Sequence, residues 1–136
     1  MIDAELIRIA SNTENHGAID QCTHSSKLKN PICGDEMKIY LIIKSEKIIN
    51  FKYMCESCIF CQASVSLLSR KSKNKSILKV KKFLKTANSY FEDKKEVIDN
   101  EWKDFKKIMT KKNIARKECL LLPLNATLNA LNKKTL

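Results

Sequence analysis

The feature that most restricts the fold is an alternation that runs twice between residues 37 and 54. Met37, Ile39, Leu41 and Ile43 fall on one face of an extended chain, while Lys38, Tyr40 and Lys44 fall on the other. After Ser45-Glu46 the pattern resumes, with Ile49, Phe51 and Tyr53 on one face and Asn50 and Lys52 on the other. A period of two on both sides of a short polar break specifies an antiparallel hairpin over 37–54, half-buried on one side. The break lacks the Asn-Gly pair of the commonest two-residue turns, so its type is open.

Helical spacing frames the hairpin. Residues 3–10 carry Leu6, Ile7 and Ile9 and read as a short helix. Residues 11–30 are polar and read as an extended connector. After the hairpin, Cys61, Val65 and Leu68 follow helical spacing among the small residues Ala63, Ser64, Ser66 and Ser69, which permits close packing on the sheet. From a Ser76 N-cap, Ile77, Val80, Leu84, Ala87 and Phe91 mark a further helix. A charged connector (92–96) precedes another amphipathic helix on Ile98, Trp102, Phe105 and Met109. A basic linker, 110–117, leads to a last helix with Leu121, Leu124, Leu128 and Leu131 on one stripe. Pro123 suits only a first turn, which sets Cys119 at or just before that helix's start. The expected fold class is α+β: a small antiparallel sheet, the hairpin 37–54 with room for a further strand, covered by helices. With 136 residues the chain reads as a single domain, with 1–30 as N-terminal helix and connector and 31–136 as the core.

Six cysteines stand in a chain whose first residues lack the basic start and apolar block of a secretory signal, and no apolar run is long enough to span a bilayer. The expected location is cytoplasmic, where thiols stay reduced and clustered cysteines point to metal or thiol chemistry. Cys33-Gly34-Asp35, just ahead of the hairpin, places a thiolate and a carboxylate two residues apart across a glycine that lets the chain bend. Cys58 follows the hairpin and Cys119 precedes the last helix. Four such ligands from three separate elements suit tetrahedral zinc. Spacing alone equally allows buried, inert thiols. In the Cys55, Cys58, Cys61 run, Cys55 and Cys61 read as packing residues, because an iron–sulfur ligand run needs further cysteines and a closing Cys-Pro. His16 and His24 read as solvated loop residues, and Cys22 has no evident partner.

The net charge of +11 lies wholly in residues 70–117, which hold 17 Lys/Arg against 6 Asp/Glu. Nucleic acid is one partner for such a segment. Lysine dominates over arginine, however, and Phe83, Trp102 and Phe105 fall on apolar stripes. The segment therefore reads as solvated helical faces, with an acidic protein as the next choice of partner.

Asn30-Pro31-Ile32-Cys33-Gly34-Asp35, the hairpin, Cys58 with Gln62-Ala63-Ser64-Val65-Ser66-Leu67-Leu68-Ser69, and Ala115-Arg116-Lys117-Glu118-Cys119 together resemble the IscU/NifU N-terminal family of iron–sulfur cluster assembly proteins. The likeness extends from about Asn30 to the C-terminus. The 61 residues separating Cys58 from Cys119, and Glu118 where the IscU branch carries a histidine, resemble the SufU branch. That resemblance implies one zinc on Cys33, Asp35, Cys58 and Cys119. It implies persulfide sulfur accepted from a PLP-dependent, SufS-like cysteine desulfurase, and Cys33 as the accepting thiol. It further implies Arg116 as a docking residue for that partner and delivery to downstream cluster-assembly proteins, a sulfur-acceptor role beside an enzyme rather than a free-standing activity. The family's other mode, a [2Fe–2S] scaffold on the same cysteines, with iron in place of zinc, is the alternative. A basic binding module with structural zinc is the third reading. Ser57 stands where the family has glycine, and 10–17 departs from its N-terminal motif.

Overall fold

The computed structural model describes residues 2–92 and 97–133. Of the charged connector 92–96, only Glu92 lies among them. Helix α1 spans Ala4–Ala10, and the Asp3 carboxylate caps it by accepting from the Leu6 N–H at 2.9 Å. Three strands come next along the chain: β1 His24–Lys29, β2 Glu36–Lys44 and β3 Lys47–Glu56. They form one antiparallel sheet in the order β1-β2-β3. Helices α2 (Ile59–Ser72), α3 (Ile77–Tyr90) and α4 (Lys117–Leu131) complete the fold, with 3₁₀ segments at Asn100–Lys107 and Lys111–Arg116. Helix α4 packs on β1 and β2, α2 on β3 and α4, α1 on α2, and α3 on α4. This is the α+β class that the sequence pattern specifies, with helices gathered on one face of the sheet.

The inward face of the sheet carries Met37, Ile39, Leu41, Ile48, Phe51 and Tyr53, all buried. Ile48 is the surprise. Alternation counted back from Phe51 puts Ile49 inside, but Ile49 is 41% exposed and Ile48 fully buried. The pairing slips between Ile42↔Asn50 and Ile43↔Ile48, leaving Ile49 as the extra residue of a β-bulge. The turn beyond it holds Ser45 and Glu46 at φ 51° and 62°. Two successive positive φ values are the backbone of the tight mirror-image turn that glycine and asparagine favour. Here the loop after α2 straps the turn in place. The Ile77 N–H donates to Glu46 O at 2.9 Å, Ile48 N–H to Lys75 O at 3.0 Å, and Asn74 N–H to Ile48 O at 2.7 Å.

Four expectations are corrected. The stretch 11–30 is not all connector, since His24–Lys29 pairs with β2 from His24↔Leu41 to Lys29↔Glu36. The segment around Trp102 is a 3₁₀ helix rather than α, and most of the stretch expected as a basic linker is 3₁₀ helix too. Trp102, Phe105 and Ile108 recur every three residues and are all buried, which suits three residues per turn. Cys119 is the third residue of α4 and Pro123 lies inside that helix. Nearly every side of α4 is covered, so packing offsets the bond that proline removes. Phe83 stacks on Trp102 with centroids 4.2 Å apart and planes 6° from parallel, and both are buried. These rings belong to the core.

Six lysines of the basic segment sit in ion pairs: Lys71–Asp104, Lys79–Glu101, Lys82–Asp99, Lys107 with Glu5 and Asp104, Lys112–Asp3 and Lys117–Glu92. Among the described residues, no helix is long and apolar enough to cross a membrane.

The bulge separates two adjacent isoleucines energetically. Ile48→Ala should cost about 3 kcal/mol, the range for truncating a buried aliphatic side chain. Ile49→Ala should cost less than about 0.5 kcal/mol. Urea unfolding of both variants measures the difference, and a reversed order would restore the unbulged register.

Candidate metal centre

The site begins with a closed loop. Asn30 sits just past the end of β1, and its backbone closes the loop that carries Cys33: its N–H donates to Asp35 O at 2.8 Å, and its carbonyl accepts from Gly34 N–H at 2.8 Å. Its side-chain oxygen takes the Ile32 N–H at 2.9 Å. Gly34 sits at φ +80°, a conformation that costs an L side chain strain. The result is a tight excursion between β1 and β2 that lifts Cys33 into solvent and returns Asp35, half-buried, to the start of β2. Asn30 is a residue whose role the sequence does not declare. The one signal for it is the Asn-Pro pair at 30–31, which favours turn initiation.

Cys119 meets this loop from the opposite direction. The sulfurs of Cys33 and Cys119 and a carboxylate oxygen of Asp35 all lie within 4.8 Å of one another. Cys58 adjoins the group without sharing that spacing. It is the N-cap residue of α2, and its N–H donates to Asp35 Oδ2 at 3.3 Å. Of the four expected ligands, then, three are clustered and the fourth borders them.

The electrostatics follow from burial. The Cys119 thiol is pushed up to about 12, first by desolvation, then by the neighbouring Cys58 thiol and by the negative charge of Cys58, Cys33 and Asp35 around it. Without a cation it therefore stays protonated at neutral pH. Two thiols and a carboxylate brought this close are a setting in which a bound cation offsets the charge that ligation requires. The donor set fits zinc: thiolate sulfur with a carboxylate oxygen, in a tetrahedron with donor–donor edges of roughly 3.8 Å for Zn–S bonds near 2.3 Å.

The other cysteines stand apart. Cys61 is fully buried in α2, and its thiol is raised far above the usual range, chiefly by desolvation. Cys55, on the inward face of β3, is raised by desolvation, partly offset by the neighbouring Ser57 hydroxyl. Both behave as packing residues. Cys22 is buried away from the group. His16 lies against Tyr53, ring centroids 5.6 Å apart, and His24 stands in β1 with Nδ1 2.9 Å from Thr23 Oγ1. Neither belongs to the metal-ligand cluster. Arg116 is exposed at the start of α4, its guanidinium 5.5 Å from the centre of the Phe60 ring.

A cavity of about 440 Å³ is lined by Ala10, Thr13, His16, Tyr53, Cys55 and Gln62 and by none of the candidate ligands. Residues 15–17 close the free edge of β3 next to it: Gly17 N–H donates to Tyr53 O at 2.8 Å, and Tyr53 N–H to Asn15 O at 3.2 Å.

Comparison with known proteins places this architecture. Two relatives from Archaeoglobus fulgidus, the iron-sulfur cluster assembly scaffold proteins IscU 1 and IscU 2, are each 30% identical to the chain over 76 residues, 56% of this chain and 50% of theirs. The chain thus spans about half the length of the curated relatives it matches. A nitrogen-fixing NifU-like protein (N-terminal) from Brucella abortus superposes with a TM-score of 0.87 at 17% identity, covering 96% of this chain and 91% of that one. The structure of a putative iron-sulfur cluster assembly scaffold protein for the SUF system from Fervidobacterium islandicum superposes at 0.84 with 22% identity, over 96% of both chains. At such identities these likenesses concern the fold. The family model described as the NifU-like N terminal domain matches residues 2–105, a stretch that includes Cys33, Asp35 and Cys58 and ends before Cys119. With most of its length so matched, the chain belongs to the NifU-like N-terminal domain family.

Proposed function

We propose that this protein works in iron–sulfur cluster assembly as a zinc-bound sulfur acceptor, taking persulfide sulfur at Cys33 from a cysteine desulfurase. The observation that carries the reading is the meeting of Cys33, Asp35 and Cys119 within 4.8 Å, with Cys33 the exposed member. The relatives' names supply the pathway, and the reading takes residues 1–136 as one unit. Cys33, Asp35, Cys58 and Cys119 would hold the zinc, which keeps the thiols as thiolates, the species that attacks a sulfane sulfur.

The chain's own residues divide the work. Cys119 and Cys58 are anchored on α4 and at the head of α2 and keep the site together. Asp35 accepts from the Cys58 N–H and so ties the loop to α2. Cys33, on an exposed loop, is the thiol an incoming partner can reach. Its thiolate attacks the terminal sulfur of the desulfurase cysteine persulfide. A bond forms between Cys33 Sγ and that sulfur, the partner's S–S bond breaks, and the electron pair leaves with the partner's thiolate. Arg116, exposed over Phe60, offers a cation at the rim of the site for a SufS-like partner.

The relatives' description as scaffolds favours a second reading, a [2Fe–2S] cluster built on the same cysteines. Metal content of protein purified without oxygen separates the two. Stoichiometric zinc and no visible absorbance support the acceptor, and a coloured iron-bearing species supports the scaffold. The paired lysines leave the basic-module reading with less to stand on.

Three outcomes test the acceptor. Cys33→Ser should cut persulfide transfer from the host's desulfurase at least tenfold while the protein stays folded; undiminished transfer would sink the mechanism. Asp35→Ala should lose zinc to a chelator at least tenfold more readily, and wild-type retention would remove Asp35 from the ligand set. Stripping the metal should lower Tm by at least ~10 °C, because a ligand at a thousandfold excess over Kd contributes about 4 kcal/mol, worth roughly 4 °C per kcal/mol at this size. An unchanged Tm would mean that no metal joins these elements.

A further inference from the structure

The turn of α4 that carries Cys119 is short of backbone support from its own helix. Arg116 at its N-cap makes no side-chain capping bond. Four residues after Cys119 comes Pro123, which has no N–H to offer the Cys119 carbonyl and whose ring crowds that carbonyl. Helix α4 continues from the 3₁₀ segment, with the Lys117 N–H on Ile114 O, but the Cys119 carbonyl still lacks its helical donor, and a bond from outside the helix steadies the turn. The Ser64 hydroxyl of α2, fully buried, donates to the carbonyl of Leu120 at 2.7 Å. Leu120 is the residue after Cys119, and Ser64 lies six residues after Cys58 on the helix that Cys58 caps.

We infer that Ser64 is a positioning residue for the metal site: its bond to Leu120 O, one residue past the carbonyl that Pro123 leaves without a helical donor, ties the loosened turn of α4 to the helix that Cys58 caps and sets Cys119 against Cys58. The inference rests on the ligand set proposed above. Other hydroxyls act farther along the helix, Thr127 on Pro123 O at 2.8 Å and Ser26 of β1 on Ala126 O at 2.5 Å, but neither touches the turn of Cys119. The Ser64 hydroxyl joins the Cys58 helix directly to the backbone of the Cys119 turn. The bond also explains a small polar residue at a position with no exposure, where a valine or alanine would serve packing as well. A buried hydroxyl is retained where it has a carbonyl to satisfy.

The test is a double-mutant cycle between Ser64 and Pro123, read by cobalt(II) as a spectroscopic stand-in for zinc. Wild type, Ser64→Ala, Pro123→Ala and the double variant are titrated with cobalt, and the thiolate charge-transfer and d–d bands are recorded. Ser64→Ala should bind cobalt at least tenfold more weakly, with reduced charge-transfer intensity as Cys119 drifts from the set. In the Pro123→Ala background, where α4 regains an N–H of its own, the same serine change should cost less than about threefold. Wild-type affinity and spectrum in Ser64→Ala would overturn the inference, as would a loss that is just as large without the proline. Should Ser64→Ala fail to fold, a folded double variant supports the clamp and an unfolded one overturns it. If the wild-type chain takes up no cobalt, the ligand reading falls on that result alone. Urea unfolding of the same four proteins then judges the clamp: a serine penalty that shrinks with Pro123→Ala supports it, and an undiminished penalty overturns it.

Discussion

A helix buried on nearly all sides cannot leave its carbonyls to water, and this constraint on α4 organises much of the molecule. Leu120, Leu122, Leu124, Ala126, Ala130 and Leu131 face sheet or helices rather than solvent. Burial on that scale stabilises the fold at roughly 25 cal/mol per Å² of apolar surface, but it leaves an unmade backbone bond expensive. Pro123 makes the problem acute by subtracting a donor in the middle of the helix. Hydroxyls from three elements add bonds to carbonyls around it: Ser26 from β1 to Ala126 O, Ser64 from α2 to Leu120 O and Thr127 from α4 itself to Pro123 O. The Ser26 and Ser64 bonds also fix where α4 lies relative to the sheet and to α2, and therefore where Cys119 lies.

The same economy is visible on the sheet. The β2–β3 turn sits at two positive φ values without a glycine, a conformation that costs about a kilocalorie or more per residue. It persists because the 74–77 segment bonds to it and to Ile48. The bulge at Ile49 belongs to this arrangement. By adding one residue it lets Ile48 turn inward while Phe51 and Tyr53 keep their places beneath α2. Tyr53 in turn is covered along the edge of β3 by residues 15–17, so the strand that leads to Cys58 is paired on one side and capped on the other.

How far these features could be read from the chain depends on whether the governing force is local. The alternation of 37–54, the Ser76 cap and the helical stripes are local, and they predict the hairpin, α2, α3 and the fold class. Strand β1 is not: of His24–Lys29 only Leu28 is apolar, and the strand exists because β2 offers it a partner and α4 accepts Ser26. The bulge leaves no mark that a period-two count can detect. The 3₁₀ segment is not legible either, because Ile98, Trp102, Phe105 and Met109, all buried, also follow α-helical spacing. Pro123 misleads for the opposite reason. The rule that keeps proline in a first turn reflects a helix's own bonds, and tertiary packing overrides it here. At the site, Cys33, Gly34 and Asp35 declare themselves because they are contiguous. Asn30 and Ser64 do not, because their roles consist of bonds to backbone atoms that only the folded chain brings near.

The three clustered ligand atoms are held with unequal firmness, and the inequality bears on what such a site can do. Cys119 rides on a buried helix, and Asp35 enters a strand whose next residues pair on both sides. Cys33 has neither support. Its loop is closed at the base by Asn30, but the residue itself is exposed, beside Ile32 at 89% exposure. A site meant only to staple a fold gains nothing from an exposed ligand on a glycine hinge, since an ordered, buried thiol would bind as well and exchange more slowly. A site that must present a sulfur to another protein needs one ligand that can leave and return while the others keep the geometry. Under the sulfur-acceptor proposal, firm anchoring of Cys119 and exposure of Cys33 are complementary requirements of one exchangeable centre.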